Sequence, residues 1–467
     1  MTEPFRVALE LFRKTAATVP AYGAFLREHG VDAGAVRTRE DFARVPLMTK
    51  EGYLRRFPLA DRCRGGDLAA HDMVAFSSGS TGEAMLWPRS ATDELAVASR
   101  FEQVFAGSFG ARAKRTLAVV CFPLGTWVGG MYTASACRIL AQRGLRITTV
   151  TPGNDRAEIL RVVRALAPGF DQTVLLGYPP FLKDVIDAGA LEGVAWSRFS
   201  IKLVLAGEVF SEAWRALMAE RAGMTRLLFD SASLYGTADA GVLGTETPLT
   251  IAIRRFCAED PGAARSLFGQ TRLPTLVQYD PCARFFEEHE GTLVFSADGG
   301  VPLVRYHIAD DGGVLAYDAM LERVRALGFD PREYLAHAPE LPFVWVFGRS
   351  HFAISFYGAN VFPEMISVGL EQPSVRESVT GKFVIEARET ESHDRVLALD
   401  VELAAGAAPS DALREKIADE VLAALLRLDS EFAHYAPPER RRPVVALHPK
   451  GDPTHFPAGV KHRYSRR

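Results

Sequence analysis

Short apolar runs and longer amphipathic segments alternate from about residue 116 to residue 236. Five apolar runs have the length of strands: TLAVVCFPL, RITTVTPG, TVLLGYPP, IKLVLAGE and LLFDSASLYG. In three intervening segments the apolar residues recur every three or four positions, as in helices: GGMYTASACRILAQRG, DRAEILRVVRALA and SEAWRALMAERAG. This alternation is typical of an α/β fold, in which parallel strands are joined by crossover helices.

Beyond about residue 270 the apolar runs shorten and turns become frequent, which predicts antiparallel strands in EGTLVFS and VPLVRYHIADDGGVLAYD. A further unit follows, with two strands (KFVIEAR, VLALDVEL), a helix (DALREKIADEVLAALLRL) and a last strand (RPVVALHP). We therefore expect a large N-terminal domain at residues 1–347, built from a parallel sheet, crossover helices and a β subdomain. A small α+β C-terminal domain is expected at residues 348–467.

Composition narrows the function classes. A chain of 467 residues, 48% of them apolar, is large enough for more than one folded domain. Its 54 Lys and Arg against 57 Asp and Glu leave a formal net charge of -3, which favours neither nucleic acid nor a membrane as a partner. The five cysteines form no C-x-x-C pair, so we expect reduced and mostly buried thiols. With no apolar run of about 18 residues, a cytoplasmic protein is expected.

One loop has a composition suited to phosphate binding. The segment SSGSTG, Ser77–Gly82, offers backbone N–H groups and hydroxyls that can surround an anion. It is not a Walker loop, because Glu83 and Ala84 follow Gly82 where Lys and Ser or Thr would be required. A flexible connection of no functional importance has the same composition, so the loop alone leaves both interpretations open.

Five further segments follow the loop: LAGEVFSE, SLYGTADAG, VPLVRYHIADDGG, GRSHFAISFYGANVFPEM and FPAGVKHRY. In this order, together with SSGSTG, they resemble the motifs of the adenylate-forming superfamily, and the match extends over nearly the whole chain. The segments TVPAYGAFLREHGV and RVPLMTKEGYLRRFP resemble N-terminal helices of the phenylacetate-CoA ligase-like branch. The resemblance implies the fold of that superfamily, with the small C-terminal domain acting as a mobile lid.

The resemblance also implies a site for ATP and Mg²⁺. Asp310 would bind the ribose with help from Arg349, Asp239 would hold Mg²⁺ near the α-phosphate, and Lys461 would contact the reacting oxygens when the lid closes. Tyr235 would lie against the adenine. The remaining nucleotide-binding residues implied are Ser77, Ser78, Gly79, Ser80, Thr81 and Gly82 for the phosphates, and Ala206, Gly207, Glu208, Leu234, Gly236 and Thr237 around the adenine.

The implied activity is adenylation of a carboxylic acid with release of pyrophosphate, followed by acyl transfer to coenzyme A, a carrier thiol or an amine. Electrostatic stabilisation should dominate, because two anions react and pyrophosphate leaves. A monomer or homodimer acting on a small molecule is expected. Aromatic residues near two strand ends predict a pocket for an aromatic acid: Phe122, Trp127, Tyr132, Tyr178 and Phe181.

Three departures from the pattern leave alternatives open. Glu83 replaces a loop lysine, Asp239 replaces a longer Glu, and His351 with Phe352 replaces the paired aspartates of the hinge, which puts the thioester-forming step in question. One alternative is adenylation of a small oxyanion such as nitrite in N–N bond (diazo) formation, which a cramped and basic pocket would favour. Others are a nucleotide-binding protein without catalysis and an unrelated phosphate-binding α/β domain.

Individual residues also have ordinary interpretations. Asp310 in ADDGG has the chemistry of a turn residue, and Tyr235 could be a core aromatic whose hydroxyl is satisfied. Lys461 lies among other cations and could be merely solvated. Aromatic residues at strand ends are more often core than ligand contacts.

Overall fold

The computed structural model describes residues 2–76, 85–126, 128–207, 209–349, 354–357, 359–389, 395–429, 432–433, 436–456 and 464. For Arg349 it describes the backbone but not the side chain. The predicted site residues that lie outside the described residues are Ser77, Ser78, Gly79, Ser80, Thr81, Gly82, Trp127, Glu208 and Lys461. Glu83, His351 and Phe352 lie outside them as well.

The chain begins with three helices, α1 (Glu3–Thr18), α2 (Pro20–Glu28) and α3 (Arg39–Ala43). Aromatic side chains join them, since the ring of Phe12 stands edge-on to those of Tyr22 and Phe42 at centroid distances of 6.2 and 5.9 Å. A hairpin follows, made of β1 (Met73–Phe76) and β2 (Leu86–Arg89). The predicted phosphate loop therefore connects two paired strands.

The next part of the chain forms the parallel half of a large sheet. Its five strands lie in the order β4-β3-β5-β6-β7 and all their pairings are parallel, as predicted. The elements are α4 (Ala91–Glu102), β3 (Thr116–Val120), α5 (Val128–Gln142), β4 (Ile147–Val150), α6 (Arg156–Leu166), β5 (Gln172–Gly177), α7 (Pro179–Leu191), β6 (Ile201–Ala206), α8 (Glu212–Ala222) and β7 (Ser231–Thr237).

Helices cover both faces of these strands. Along β3, Leu117 and Val119 pack into one core cluster, whereas Ala118 and Val120 pack into another, because alternate side chains point to opposite faces. Burial on both faces explains why these strands are continuously apolar in sequence. Helix α7 is not among the predicted helices. Its first residue, Pro179, is part of the predicted strand segment TVLLGYPP. Proline is in fact well suited to the first position of a helix, because its missing N–H group has no partner there.

The antiparallel half continues the same sheet. All eleven strands form one sheet in the order β10-β11-β12-β13-β9-β8-β7-β6-β5-β3-β4, so the predicted β subdomain is joined to the parallel strands through β8 and β9. The elements are β8 (Gly241–Thr245), α9 (Pro248–Glu259), α10 (Pro261–Phe268), β9 (Thr275–Gln278), β10 (Arg284–His289), β11 (Thr292–Ala297), β12 (Leu303–Leu315), α11 (Tyr317–Ala326), α12 (Arg332–Leu335) and β13 (Phe343–Arg349).

The remaining elements form a smaller unit with its own apolar core. A hairpin precedes a three-stranded sheet in which β16 and β17 are antiparallel and β17 and β18 parallel. The elements are β14 (Ile354–Phe356), β15 (Ala359–Val361), α13 (Pro363–Leu370), β16 (Val379–Glu389), β17 (Arg395–Leu403), α14 (Asp411–Leu428) and β18 (Val444–His448). The helix predicted around DALREKIADEVLAALLRL is confirmed as α14. It begins at Asp411 because the Ser410 side chain accepts a hydrogen bond from a backbone N–H of its first turn.

Two compositional features can be placed in this fold. Four of the five cysteines are buried, as predicted, and Cys282 is exposed. None of the helices in the described parts of the chain combines the length and the apolar character needed to cross a membrane.

A network of buried charges joins the helices to the sheet. Arg215 on α8 donates to Glu212 and to Glu246, at nitrogen–oxygen distances of 2.9 and 2.7 Å, and Arg254 on α9 donates to Glu212 at 2.7 Å. The backbone N–H of Ser233 donates to the other carboxylate oxygen of Glu246 at 2.7 Å. The Glu246 side chain is 0% exposed, so its charge depends wholly on these partners.

We predict that Glu246→Ala lowers the free energy of unfolding by about 3–5 kcal/mol, because it leaves buried guanidinium charge without compensation. Denaturant unfolding of the full chain measures the loss. Glu158→Ala is the control, since Glu158 pairs with Arg161 on the surface of α6, where such pairs contribute about 0–1 kcal/mol. Equal, small losses in the two variants would contradict the role of the network.

Candidate active site

Two buried tyrosine–aspartate pairs lie at the centre of the predicted site. Tyr235 on β7 donates its hydroxyl to Asp310 on β12, with an oxygen–oxygen distance of 2.9 Å. In the opposite direction, Tyr306 on β12 donates to Asp239, which lies between β7 and β8, at 2.6 Å. All four side chains are buried. We call this arrangement the crossed pairs, because each segment supplies one tyrosine and one carboxylate.

The crossed pairs require the sheet to curl. Three strands, β8, β9 and β13, separate β7 from β12 in the sheet order, yet side chains of β7 and β12 are in hydrogen-bond contact. The N-terminal segment holds β12 in place, since Met48 exchanges backbone hydrogen bonds with Arg305 and His307 on either side of Tyr306. Because the sheet curls, each hydrogen bond joins a residue of the β7 segment to a residue of β12.

The backbone at Asp310 corrects one sequence-based interpretation. ADDGG suggests a turn, but Asp310 and Asp311 lie within the long strand β12, so the turn interpretation is wrong. The preceding residue, Ala309, has a φ of 60°, and the pairing register shifts between Asp311 and Gly312. Arg305, earlier in the same strand, also has a positive φ, of 46°. A left-handed residue and a bulge redirect side chains locally, which lets the strand direct the Asp310 carboxylate into the site. Asp310 pairs in register with Arg349.

A close contact shapes the segment predicted to lie beside adenine. Gly207 follows β6 with a φ of 84°, and a Cβ there would lie 2.6 Å from the ring of Tyr178. Only glycine meets both conditions, so Tyr178 packs directly on the backbone. Ala206 ends β6 beside Leu234, its register partner on β7. Gly236 and Thr237 continue β7 toward Asp239.

The structure divides the predicted aromatic pocket. Phe122 and Tyr178 form an edge-to-face pair with a centroid distance of 5.0 Å on the face of the sheet that carries α5. Tyr132, on α5, lies in the same cluster but faces the guanidinium of Arg89 at 5.4 Å. Phe181, on α7, packs into the cluster on the opposite face. The described aromatic residues therefore do not line one common pocket.

A small charged cavity that the sequence analysis missed adjoins Asp239. The charged residues that line it are two arginines, Arg89 and Arg284, and three aspartates, Asp93, Asp239 and Asp298. Arg89 donates to the backbone carbonyl of Asp239 at 3.0 Å, and Arg284 donates to that of Ala240 at 2.9 Å. The two arginines thus hold the turn that carries Asp239.

Neither arginine has a carboxylate partner among the described residues, although both are buried. The Nε–H group of each is buried without a hydrogen-bond acceptor. Burial, together with the charges of Arg100 and Arg89, lowers the pKa of Arg284 to about 10. Within the described residues no carboxylate contacts either guanidinium directly, but the three aspartates in the same lining offset part of this positive charge.

The smaller unit contacts the large sheet beside a cavity of about 510 Å³. Lys382 on β16 donates to Asp184 on α7 at 2.7 Å, and Arg221 on α8 donates to Glu377 at 2.6 Å. At the cavity itself, the hydroxyl of Ser211 donates to the carboxylate of Glu371. Charge pairs therefore span the boundary between the two units.

Comparisons with known proteins bear on this fold. No model of a known protein family and no curated protein matches the chain. Among solved structures, 2-hydroxyisobutyryl-CoA ligase in its postadenylation state with 2-HIB-AMP matches with a TM-score of 0.66 and 17% identity, over 99% of this chain and 88% of that one. The same enzyme in its thioesterification state, with 2-HIB-AMP and coenzyme A, matches with a TM-score of 0.53 and 17% identity, over the same shares of the two chains.

These likenesses show the fold. The chain shares the fold of this ligase, which confirms the predicted fold class of a large domain with a parallel sheet followed by a smaller α+β unit. The likeness is greater to the postadenylation state than to the thioesterification state of that ligase.

We predict a pH-dependent contribution from Glu371. Burial raises its pKa to about 7, opposed by the Ser211 hydrogen bond and by the charges of Arg254 and Lys183. Because the folded protein then holds a proton that the unfolded chain loses above pH 4.5, stability should fall as pH rises from about 4.5 to about 7. Thermal unfolding of wild type and Glu371→Gln across this range measures the effect. The wild type should lose stability relative to the variant, and parallel profiles would contradict the prediction.

Proposed function

We propose that this protein is an ATP-dependent ligase that adenylates a carboxylic acid, releases pyrophosphate and transfers the acyl group to coenzyme A or another nucleophile. The adenylate-forming fold supports the proposal, as does the order of the six motifs. The crossed pairs carry it, because each of them joins a buried carboxylate of one motif, Asp310 or Asp239, to a tyrosine of the other motif.

Asp310 has the chemistry needed to bind a ribose. An ionised carboxylate offers about four lone-pair positions, so it can accept from Tyr235 and from two ribose hydroxyls. Tyr235 orients this carboxylate, and its own ring belongs to the predicted adenine segment. We infer that the nucleotide lies between the carboxyl ends of β6 and β7 and the facing part of β12, where Gly207 allows close approach.

Asp239 fits the requirement of Mg²⁺ for oxygen ligands, because the ion is commonly held by one or two carboxylates together with phosphates. Tyr306 occupies one carboxylate oxygen, Oδ2, and fixes the side chain. When bound, the ion would neutralise the negative charge that develops on pyrophosphate as it leaves. The nearby charges of Arg89 and Arg284 oppose a cation here, so phosphate oxygens must complete the site.

Several parts of this proposal rest on residues outside the described ones. The loop Ser77–Gly82 would donate N–H and O–H groups to the β- and γ-phosphates, and Lys461 would bring an ammonium group to the reacting oxygens. We place the boundary between the catalytic domain and the lid near residues 347 and 348, with Gly348 and Arg349 still paired to β12 as the last two residues of β13. The apolar core of the smaller unit, which begins with Ile354, supports that position.

The chemical class of the acid has two candidates. An aromatic acid would contact Phe122 and Tyr178, which form one aromatic surface near the nucleotide segment. A small oxyanion is the second candidate, favoured by Arg89 and Arg284 in the charged cavity beside Asp239. The two arginines would attract a compact anion, although the three aspartates in the same lining oppose it, and the space is too small for an aromatic ring.

Pyrophosphate–ATP exchange with a panel of aromatic, aliphatic and inorganic acids tests the proposal. We expect Asp310→Asn to weaken exchange at least 100-fold, because the ribose loses an ionised acceptor, whereas Asp311→Asn, one position along the same strand, should change it less than about threefold. Lys461→Ala should lose exchange while the affinity for ATP, measured by calorimetry, is retained. Exchange that is absent with every acid, alongside normal ATP binding, would instead indicate a nucleotide-binding protein.

The substrate class is tested by replacing a buried cation. If a small oxyanion is activated, nitrite should support exchange, and Arg284→Met should reduce it at least 100-fold by removing a positive charge from the cavity. Arg100→Met is the control, since Arg100 lies close to the cavity but has its own partner in Asp280 at 2.8 Å. Exchange that is fast with an aromatic acid and unchanged in Arg284→Met would assign the acid to the Phe122 surface.

A further inference from the structure

A cluster of metal-ligating side chains lies in the smaller unit, away from the crossed pairs. It consists of Asp400, His448 and His455, and one donor atom from each lies within 4.8 Å of the others. Asp400 is buried and the two histidines are partly buried. The proposed adenylation chemistry uses none of these residues.

Two neighbouring strands and the turn that follows them bring the three residues together. Asp400 lies on β17 and His448 ends the neighbouring parallel strand β18. The chain then turns at Gly451, whose φ is 75° and whose N–H donates to Glu402 at 2.8 Å. This turn returns His455 onto His448, so that their rings stack with a centroid distance of 3.9 Å. Two imidazoles thus lie face to face beside a carboxylate.

Hydrogen bonds orient the donor atoms. Nδ1 of His455 lies 3.1 Å from a carboxylate oxygen of Asp452, which leaves Nε2 as the atom available to a ligand. A carboxylate bound to the far nitrogen of a histidine is the usual second layer of a metal site, where it fixes the tautomer and the ring orientation. Nε2 of His448 lies 2.9 Å from Oδ1 of Asp400. The His448 nitrogen and the Asp400 oxygen thus lie close enough together for both to bind the same metal ion after a small adjustment.

The local charge also favours a cation. Asp400, Asp452 and Glu386 contribute three carboxylates, and Arg388 is the one guanidinium that contacts them among the described residues. Arg388 binds Oδ2 of Asp400 at 3.0 Å, so it occupies the oxygen that faces away from His448. It also donates to Glu386 at 2.7 Å, which disperses its charge.

We propose that Asp400, His448 and His455 form a binding site for one divalent transition-metal ion of the Zn²⁺ class. The donors would be Oδ1 of Asp400, Nε2 of His448 and Nε2 of His455, with the fourth tetrahedral position open to water or another ligand. Bonds of about 2.0–2.2 Å place tetrahedral donors roughly 3.4 Å apart. Oδ1 of Asp400 and Nε2 of His448, which are 2.9 Å apart, would have to separate slightly. The His455 ring would have to rotate out of its stack on His448 so that its Nε2 points at the ion. Binding displaces any proton that His448 shares with Asp400.

The position of this site gives the ion a structural effect. It would link β17 and β18 to the turn that contains His455, and Phe456 is the last described residue before the segment 457–463, which includes Lys461. A metal ion here would therefore restrain the turn between β18 and Phe456. The proposal does not depend on adenylation, because the ligands and their orientation are independent of the nucleotide site.

Metal titration of the full chain tests the site directly. After treatment with EDTA and its removal, the protein should bind one equivalent of Zn²⁺ in calorimetry, with a dissociation constant of about 1 μM or lower. Co²⁺ alone should give the intense visible absorption of tetrahedral coordination, which added Zn²⁺ abolishes. Unbound surface histidines do not produce this spectrum.

Three variants and a control complete the experiment. His448→Ala and His455→Ala should each weaken Zn²⁺ binding at least 100-fold, and Asp452→Asn, which keeps all three donors, should weaken it 10- to 100-fold. His337→Ala, which changes a histidine in contact with Phe229 in the large unit, should leave binding unchanged. Wild-type protein that gives no tetrahedral Co²⁺ spectrum, or binding that survives the His448→Ala/His455→Ala double variant, would overturn the proposal.

Discussion

The crossed pairs are the interaction on which the candidate site depends. Tyr235 and Tyr306 each donate to a carboxylate that the other segment supplies, so neither carboxylate can be positioned unless both halves of the sheet are in place. A buried carboxylate is stable only with hydrogen-bond donors or cations around it. The tyrosines supply hydrogen-bond donors without bringing a positive charge to Asp310 or Asp239.

This requirement accounts for the architecture around the site. The strands β8, β9 and β13 separate the two partners in the sheet, so the sheet has to curl for the hydroxyls to reach the carboxylates. The N-terminal helices pack against the curled part and share its apolar core, and the Met48 backbone is hydrogen-bonded to β12. The arginines beneath Asp239 hold its turn from the other side. This part of the fold thus supports the two carboxylates of the candidate site.

Much of this could be predicted from sequence, for identifiable reasons. The parallel strands are buried on both faces and therefore read as continuous apolar runs, while α14 carries both a cap and a regular apolar repeat. The ordered motifs also predicted that Tyr235, Asp239 and Asp310 belong to one site, and the structure places each of these side chains in a crossed pair. Local composition misled at ADDGG, because pairing with β11 and β13 outweighs the turn preference of these residues in β12.

The charged cavity and the histidine cluster could not be predicted in this way. Arg89 and Arg284 are nearly 200 positions apart, and an arginine in sequence ordinarily indicates an exposed side chain. His448 and His455 are close in sequence, but their partner Asp400 comes from another strand, and only the parallel pairing of β17 with β18 brings it to them. Contacts that depend on register between distant strands leave no local signal.

The central claim is that a nucleotide binds with its ribose at Asp310 and its α-phosphate near Asp239. A crystal structure of the full chain with bound AMP, or with a non-hydrolysable adenylate of the activated acid, tests it most directly. Both ribose hydroxyls should lie within about 3 Å of the Asp310 carboxylate, and the adenine should lie beside Gly207 and Tyr235. A nucleotide bound elsewhere, or one whose ribose contacts no carboxylate of β12, would contradict it.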